Sequence, residues 1–576
     1  MAETETPPTE SEGPEVQTSR KASPAEPMRP GEGRLVEWVE SLLTDAEQAK
    51  KDQCDPDSWE TNLDTYWGDQ WPGAVPTFKP RIVVNEIKSL MLQELSDLVT
   101  TPLKVYVEKD KAKGERDKVV EQAIQAYWAR NFVDLKVLEA ALDGLIFPLG
   151  FLGTLWQPWQ QQGQGEILTF ARDPASVFPD PDGTTDDDLT YVITRDVCDV
   201  MAIRRDFPET GALVEPEAAY STPWTQKPAS GGPRSGAYTG PMYSQTPVGT
   251  VPGWKKARAR VLTAIVEDDE TVSEIEEIQG ELKQKRKYRY PNRRMIIVAN
   301  GRVLYDGDNP YHGAPILTRM ALQPTGHAYW PKGSIVAEYA EVQRSANKAD
   351  SMVVENAMRL NGGTLFADAD SGINPKTWAN IPGQVVLVKP GSKAEIKYPS
   401  AMPADMIQMG DKLRGMIRAN FGYPLSRTGA GTKGNISAEL SETEISQSMG
   451  LTRLRGRLLH QSVQRLVEMI FARMAQFYTT PRHLPFIQDN QWTPVPWVPI
   501  QEPSAYAVHV DEASFQVRSK TMMQRLYLAL AKMNKMPTKR LLKMLEIPDS
   551  DEISEELKQE LMLIAAAKMK AGKGKR

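Results

Sequence analysis

A chain of 576 residues with 40% hydrophobic content is long enough for about two to four domains of ~150 residues with real cores, which excludes a wholly disordered protein. Its 69 basic and 75 acidic residues leave a net charge of -6, which argues against a surface coated in positive charge for tight DNA binding, so any contact with nucleic acid should be local or loose. Cys54 and Cys198 lie far apart with no partner at ligand spacing, excluding a disulfide framework and a zinc site, and no apolar run approaches the ~20 residues of a membrane span.

Residues 1–33, acidic and rich in Pro, Glu, Thr and Ser, have the composition of a disordered tail and are unlike a signal peptide; a reducing compartment is expected. Leu35, Trp38, Val39, Leu42 and Leu43 then form a helix face, and Trp59, Tyr66, Trp67 and Trp71 read as an aromatic core. The apolar run from Ile82 to Leu98 predicts a buried helix ended by Thr101-Pro102, and 103–108 alternates like a strand. A second helix is expected over 119–142, and strands over 167–170 and 191–194 flank the loop 173–188, giving an α+β region. Asp180, Asp182, Asp186, Asp187 and Asp188 in that loop lack the calcium-loop spacing and its terminal glutamate, so a solvated turn is preferred to a cation site and no metal is expected.

Residues 215–253, rich in Pro, Gly, Ser, Thr and Tyr without period, read as a linker. Past it, 258–266 alternates, 270–287 reads as helix, and Met295–Val298 with Val303–Tyr305 flank Asn300-Gly301, a hairpin signal. The basic run Lys283, Lys285, Arg286, Lys287, Arg289, Arg293 and Arg294, interleaved with Tyr288 and Tyr290, suits phosphates or an acidic partner, although such a run is more often a solvated face. A strong helix is predicted over 333–360, stopping at Asn361-Gly362-Gly363, then an alternating and turning stretch over 365–388 and another helix over 402–421.

The sequence reads as organised around residues 435–478. Leu451, Leu454, Leu458, Val463, Leu466, Val467, Ile470, Met474, Phe477 and Tyr478 recur at three- and four-residue steps, predicting one amphipathic helix of about 60 Å with a bend or close packing at Gly450 and Gly456. A proline-rich segment over 483–503, a strand over 506–510, a helical pair over 521–569 and a basic tail at 571–576 complete the chain.

In front of the long helix, Gly429-Ala430-Gly431-Thr432-Lys433-Gly434 matches G-x-G-x-x-G, but a helix and Phe421-Gly422-Tyr423-Pro424 precede it where a dinucleotide site needs a buried strand, and no P-loop can be laid over it. His312, His327, His460, His483 and His509 are scattered, with no H-E-x-x-H and no G-x-S-x-G, so no catalytic role and no cofactor is expected. A glycine-rich loop carrying Arg427 and Lys433 at the head of a rigid helix is instead suited to touching a polyanion that passes it.

Three segments resemble tailed-bacteriophage portal proteins, the head-to-tail connectors at the capsid vertex. Asp173-Pro174-Ala175-Ser176-Val177-Phe178-Pro179-Asp180 with Tyr191-Val192-Ile193 is similar to their wing. Asn309-Pro310-Tyr311-His312-Gly313-Ala314-Pro315-Ile316, running through Gly333 and Gln343 to Asn347, resembles the passage from clip into stem helix. The stretch from Phe421-Gly422 to Gly434-Asn435-Ile436-Ser437-Ala438 resembles the channel-lining loop before the spine helix.

The resemblance implies an α+β portal fold with a long spine helix, a β-containing clip and wing, and a helical stem and crown. Its divisions would be wing at 34–214, linker at 215–256, clip at 257–331, stem helix at 332–362, wing return at 363–420, tunnel loop at 421–434, spine and wing at 435–510, and crown at 511–570. The first stem helix would be either 196–207 or 270–287. Arg427, Thr428, Lys433 and Asn435 would face DNA, and Lys285, Arg286, Lys287, Arg289, Arg293 and Arg294 would dock partners. The resemblance further implies a ring of about 12 copies around double-stranded DNA, with large terminase, major capsid protein, scaffolding protein and head-tail adaptor as partners, assembled in the host cytoplasm and placed in the virion. The competing readings are a nucleotide-binding enzyme using Gly429 to Gly434 and a nucleic-acid-binding module using 283–294.

Overall fold

The computed structural model describes residues 31–71, 79–99, 103–110, 115–216, 258–278, 281–312, 315–362, 364–374, 387–398, 402–423, 448–488, 491–500, 502–511 and 520–533, with shorter stretches between 537 and 562. The chain is α+β. Its central element is the helix Gly450–Phe477, whose 28 residues span about 42 Å. Leu459, Val463, Leu466, Val467, Ile470 and Met474 form a fully buried stripe, and Tyr478 closes it. The stripe packs on an antiparallel sheet of three strands, Leu317–Met320, Gly150–Gln157 and Glu166–Arg172, and on the strand Ala507–Val510, which pairs with Val105–Asp110.

One expectation for this helix changes. Residues 435–447 lie outside the described residues, and Leu451 and Leu454 are each 42% exposed, with Thr452, Arg455 and Gly456 buried in their place. The apolar stripe stops one turn early because the neighbouring helix, Glu86–Leu98, presents the buried carboxylate of Glu94 to this end.

A second, five-stranded antiparallel sheet runs in the order Arg302–Asp308, Arg294–Ala299, Arg258–Val266, Tyr191–Asp199, Val177–Pro179, so it draws strands from both sides of 215–256. Asn300 and Gly301 both adopt positive φ (46° and 73°), the two-residue turn expected of that dipeptide. The helix Glu32–Cys54 lies across the sheet, seating Val39, Leu43 and Ala46 on Phe178, Ile193, Leu262, Ile296 and Val298.

Lys50 fixes the end of that helix. The residue is 3% exposed, and its ammonium donates to the carbonyls of Pro174 (2.6 Å) and Val177 (2.9 Å) and lies 4.5, 4.6 and 5.0 Å from the ring centroids of Trp330, Phe178 and Trp59. Burial outweighs the nearby Cys54 and Asp173 and pulls its pKa down to about 7. Between that value and the ordinary 10.5, the unfolded chain binds a proton that the folded chain lacks, so this residue makes stability rise with pH across the window. Lys50→Met is expected to flatten that rise by about 2 kcal/mol in urea-unfolding free energies compared between pH 7 and 9; equal slopes for the two proteins would refute the account.

Several helical readings become strands or breaks. Residues 270–287 form a hairpin, Thr271–Ile278 with Glu281–Tyr288. β-Branched Thr271, Val272, Ile275 and Ile278 favour extension, and the register sets Glu274 opposite Lys285 and Glu276 opposite Lys283. Residues 196–207 divide into the end of the strand Tyr191–Asp199 and the seven-residue helix Val200–Asp206, started where the Asp199 side chain accepts from the Met201 N–H at 3.0 Å. Neither candidate for a first stem helix is therefore a long helix. The helix expected over 119–142 is two, Lys118–Arg130 and Val133–Ile146, broken where Phe132 adopts φ 49°. The proline-rich stretch after 481 is a hairpin, Arg482–Gln488 with Gln491–Trp497, and a two-stranded ribbon tolerates its prolines because each strand keeps one unpaired edge. Leu484, Val495 and Trp497 bury it against the helix Lys118–Arg130.

Candidate nucleic-acid interface

The helix Ile335–Gly362 carries buried Gln343, Asn347 and Ser351 four residues apart, so they share one face. That face binds the extended backbone of 82–86: Ser351 Oγ accepts from the Ile82 N–H (3.0 Å), Asn347 Oδ1 from Val84 (3.1 Å) and Gln343 Oε1 from Glu86 (3.2 Å). These bonds satisfy a strip of backbone that belongs to no sheet. The next helix, Met409–Phe421, runs antiparallel to Ile335–Gly362, as two contacts fix: Tyr339 meets Phe421 (centroids 5.8 Å apart), and Asp350 meets Arg414. A short exposed hairpin, Thr364–Ala367 with Ala394–Lys397, sits at the far end of this helical pair.

The near end of the pair is where residues 424–447 depart. Gly422 closes the helix at φ 90°, a left-handed cap that glycine adopts without strain. A Cβ there would lie 3.3 Å from the Ser448 carbonyl oxygen, so the departing and returning ends are side by side. Phe421 is fully buried, and the Tyr423 hydroxyl donates to Asp97 (2.7 Å). On the returning side, Arg455 packs over the Phe421 ring at 4.8 Å and lies 3.3 Å from Glu94, whose other oxygen accepts from the Thr452 hydroxyl at 3.3 Å. Arg418 donates to both carboxylate oxygens of Glu86. The base of the loop is thus held by buried charge pairs and aromatic contacts. Nothing in the sequence singles out Glu94 or Arg455, because Glu94 is one of three carboxylates on its helix and only the fold buries it.

Arg427, Thr428, Lys433 and Asn435 lie outside the described residues, as does the whole Gly429 to Gly434 motif. What precedes them in the structure is a helix, its glycine cap and a buried tyrosine.

The basic run does not act as one patch. Arg294 binds both oxygens of Asp306 (2.7 and 2.9 Å) and Asp268 (2.8 Å), Arg293 binds Glu267 (2.8 Å), and Arg289 binds Glu270 (2.6 Å) while packing on Tyr290. Hydrogen bonds donated to Asp306 and Asp268 raise the Arg294 guanidinium further above its already high pKa. Arg286 and Lys287 are exposed on the hairpin, and the Lys283 and Lys285 side chains lie outside the described residues.

The aspartates of 180–188 are likewise engaged by the chain itself. Asp180 accepts from the N–H groups of Asp182 and Thr190 (3.0 Å each), and Asp188 accepts from Thr184 and Thr185, whose hydrogen bonds hold it well below the usual carboxylate range. Asp186 accepts from the Tyr329 hydroxyl (2.8 Å) and, with Asp187, pairs with Arg465 of the central helix. The acidic turn is a clasp between loop and central helix.

Among the described residues, no helix is long and apolar enough to cross a membrane. No curated protein matches the chain significantly. The sequence profile of the family described as Phage P22-like portal protein matches residues 47–573, nearly the whole chain. With that coverage, extending from the helix Glu32–Cys54 through the helical pair and central helix to the C-terminal helices, the chain belongs to the phage P22-like portal protein family.

Proposed function

We propose that this chain is the portal subunit of a tailed phage, assembling with its copies into a ring around the DNA channel at one capsid vertex for packaging, retention and ejection. The observation that carries the reading is the family match over 47–573. The ring docks the large terminase, major capsid protein, scaffolding protein and head-tail adaptor, assembles in the host cytoplasm and ends in the virion. ATP hydrolysis belongs to the motor partner, and no catalytic role falls to this chain.

Within the ring, Arg427, Thr428, Lys433 and Asn435 line the channel from the loop anchored between Tyr423 and Ser448. Among the docking residues Lys285, Arg286, Lys287, Arg289, Arg293 and Arg294, the last three also hold carboxylates of neighbouring strands and loops, so their share in docking is the smaller. The resemblance calls for a β-containing clip between two stem helices. Residues 258–308 are built into the sheet with 177–199 and, among the described residues, have no helical pair around them, which favours the helices Ile335–Gly362 and Met409–Phe421 as stem and the two-stranded ribbon at their far end as clip.

Native mass spectrometry of the purified chain, with negative-stain top views, is the test. A closed ring of about twelve chains with a central hole is expected, and a clean monomer or dimer that binds nucleotide would overturn the reading.

A further inference from the structure

We propose that the hairpin Thr271–Ile278/Glu281–Tyr288 is a joint between subunits, its basic strand pairing edge to edge with the acidic strand of the next copy of this chain. The inference rests on the ring reading and adds a surface to it. The hairpin is a sheet of two strands only, so among the described residues neither outer edge has a ladder partner. A two-stranded ribbon is marginal by itself in water, and an open edge is a template for another strand.

The two edges carry opposite charge. The strand Thr271–Ile278 holds Glu274, Glu276 and Glu277 and no base; the strand Glu281–Tyr288 holds Lys283, Lys285, Arg286 and Lys287 against one acid, Glu281. Like edges repel, so two copies are prevented from pairing symmetrically, acid to acid or base to base. Acid to base remains, which is a head-to-tail contact and the kind that closes into a ring. A rotation about the ring axis keeps the direction of strands lying along that axis. With the hairpin strands set along that axis, the basic strand of one copy would meet the acidic strand of the next antiparallel, as the two already run within one hairpin. The chain uses the same complementarity at the hairpin's root, where Arg289 binds Glu270, Arg293 binds Glu267 and Arg294 binds Asp268. Val272 is 43% and Tyr288 64% exposed in the single chain, leaving apolar surface for the joint to cover.

Single-cysteine variants of the full chain test it. Val272→Cys and Ser273→Cys mark the acidic strand, and Arg286→Cys and Lys287→Cys the basic one; each is purified separately, mixed in acid–base pairs, assembled and oxidised. Opposed strand residues lie within disulfide reach, so at least one mixed pair is expected to give disulfide-linked dimers that neither variant gives alone, in rings whose mass equals that of the parent. Rings of parent mass without mixed dimers, or dimers formed by one variant alone, would overturn the joint while leaving the ring reading intact. A parent chain that stays monomeric under all conditions removes both.

Discussion

Arg455→Met is expected to lower the unfolding free energy by about 3–5 kcal/mol, because it leaves the carboxylate of Glu94 inside the fold without its guanidinium. Glu94 is 0% exposed, and the Arg455 side chain is 10% exposed. The methionine replaces most of the arginine's apolar volume, so the loss reads the charge rather than a cavity, apart from the smaller contribution of the guanidinium over Phe421. The double variant Glu94→Gln, Arg455→Met removes both charges and is expected to recover a large part of that loss, since burying neither ion costs less than burying one. Urea unfolding followed by tryptophan fluorescence checks both values. A single-variant loss below about 1 kcal/mol, or a double variant no more stable than the single, would show that the pair is not what holds the base of the loop.

What was legible in the sequence follows from periodicity. Residues 258–266 alternate, Met295–Val298 and Val303–Tyr305 flank Asn300-Gly301, and they form adjacent strands with that turn. The helices at 335–362 and 409–421 were legible because their apolar positions repeat at helical spacing and glycine ends each one. The misreadings arose where two signals compete. In 270–287, charges three and four residues apart imitate helical ion pairs, yet the same residues pair across a hairpin once Gln279-Gly280 separates the two runs. The break at Phe132 left no glycine or proline to mark it, and the helix that follows depends on Trp128 donating to Asp134, a contact no local pattern announces.

The site was less legible than the fold, for a physical reason. Glu86, Glu94 and Asp97 lie on one helix, and their partners Arg418, Arg455 and Tyr423 lie more than three hundred residues later, so only the tertiary structure brings them together. The basic run misled in the opposite direction. Seven cations within twelve residues look like one electrostatic surface, but three of them face carboxylates brought in by neighbouring strands. A charge count along the chain registers the donors and omits the acceptors.

Deleting Ala430 to Gly434 is expected to leave ring assembly unchanged while packaged DNA is lost or never retained. The anchors support the first half. Gly422 and Ser448 lie side by side, Tyr423 is tied to Asp97, and Arg455 is tied to Glu94, so the segment starts and ends on a base that does not depend on its length. Shortening a loop between fixed, adjacent ends changes its closure entropy by well under about 1 kcal/mol. The second half follows from residue type. The deletion removes Lys433 and two glycines, and with them one of the two cations that, on the proposed reading, would touch phosphate. Arg427→Ala with Lys433→Ala, at full loop length, is expected to give a milder and salt-dependent defect, because on the proposed reading these cations would act on DNA through an interaction that salt screens within about 10 Å at 0.1 M. Ring mass and nuclease-protected DNA per particle read the two halves separately. A deletion that abolishes the ring would make the loop a structural part of the subunit, and one that keeps both ring and DNA would remove it from the channel's working surface.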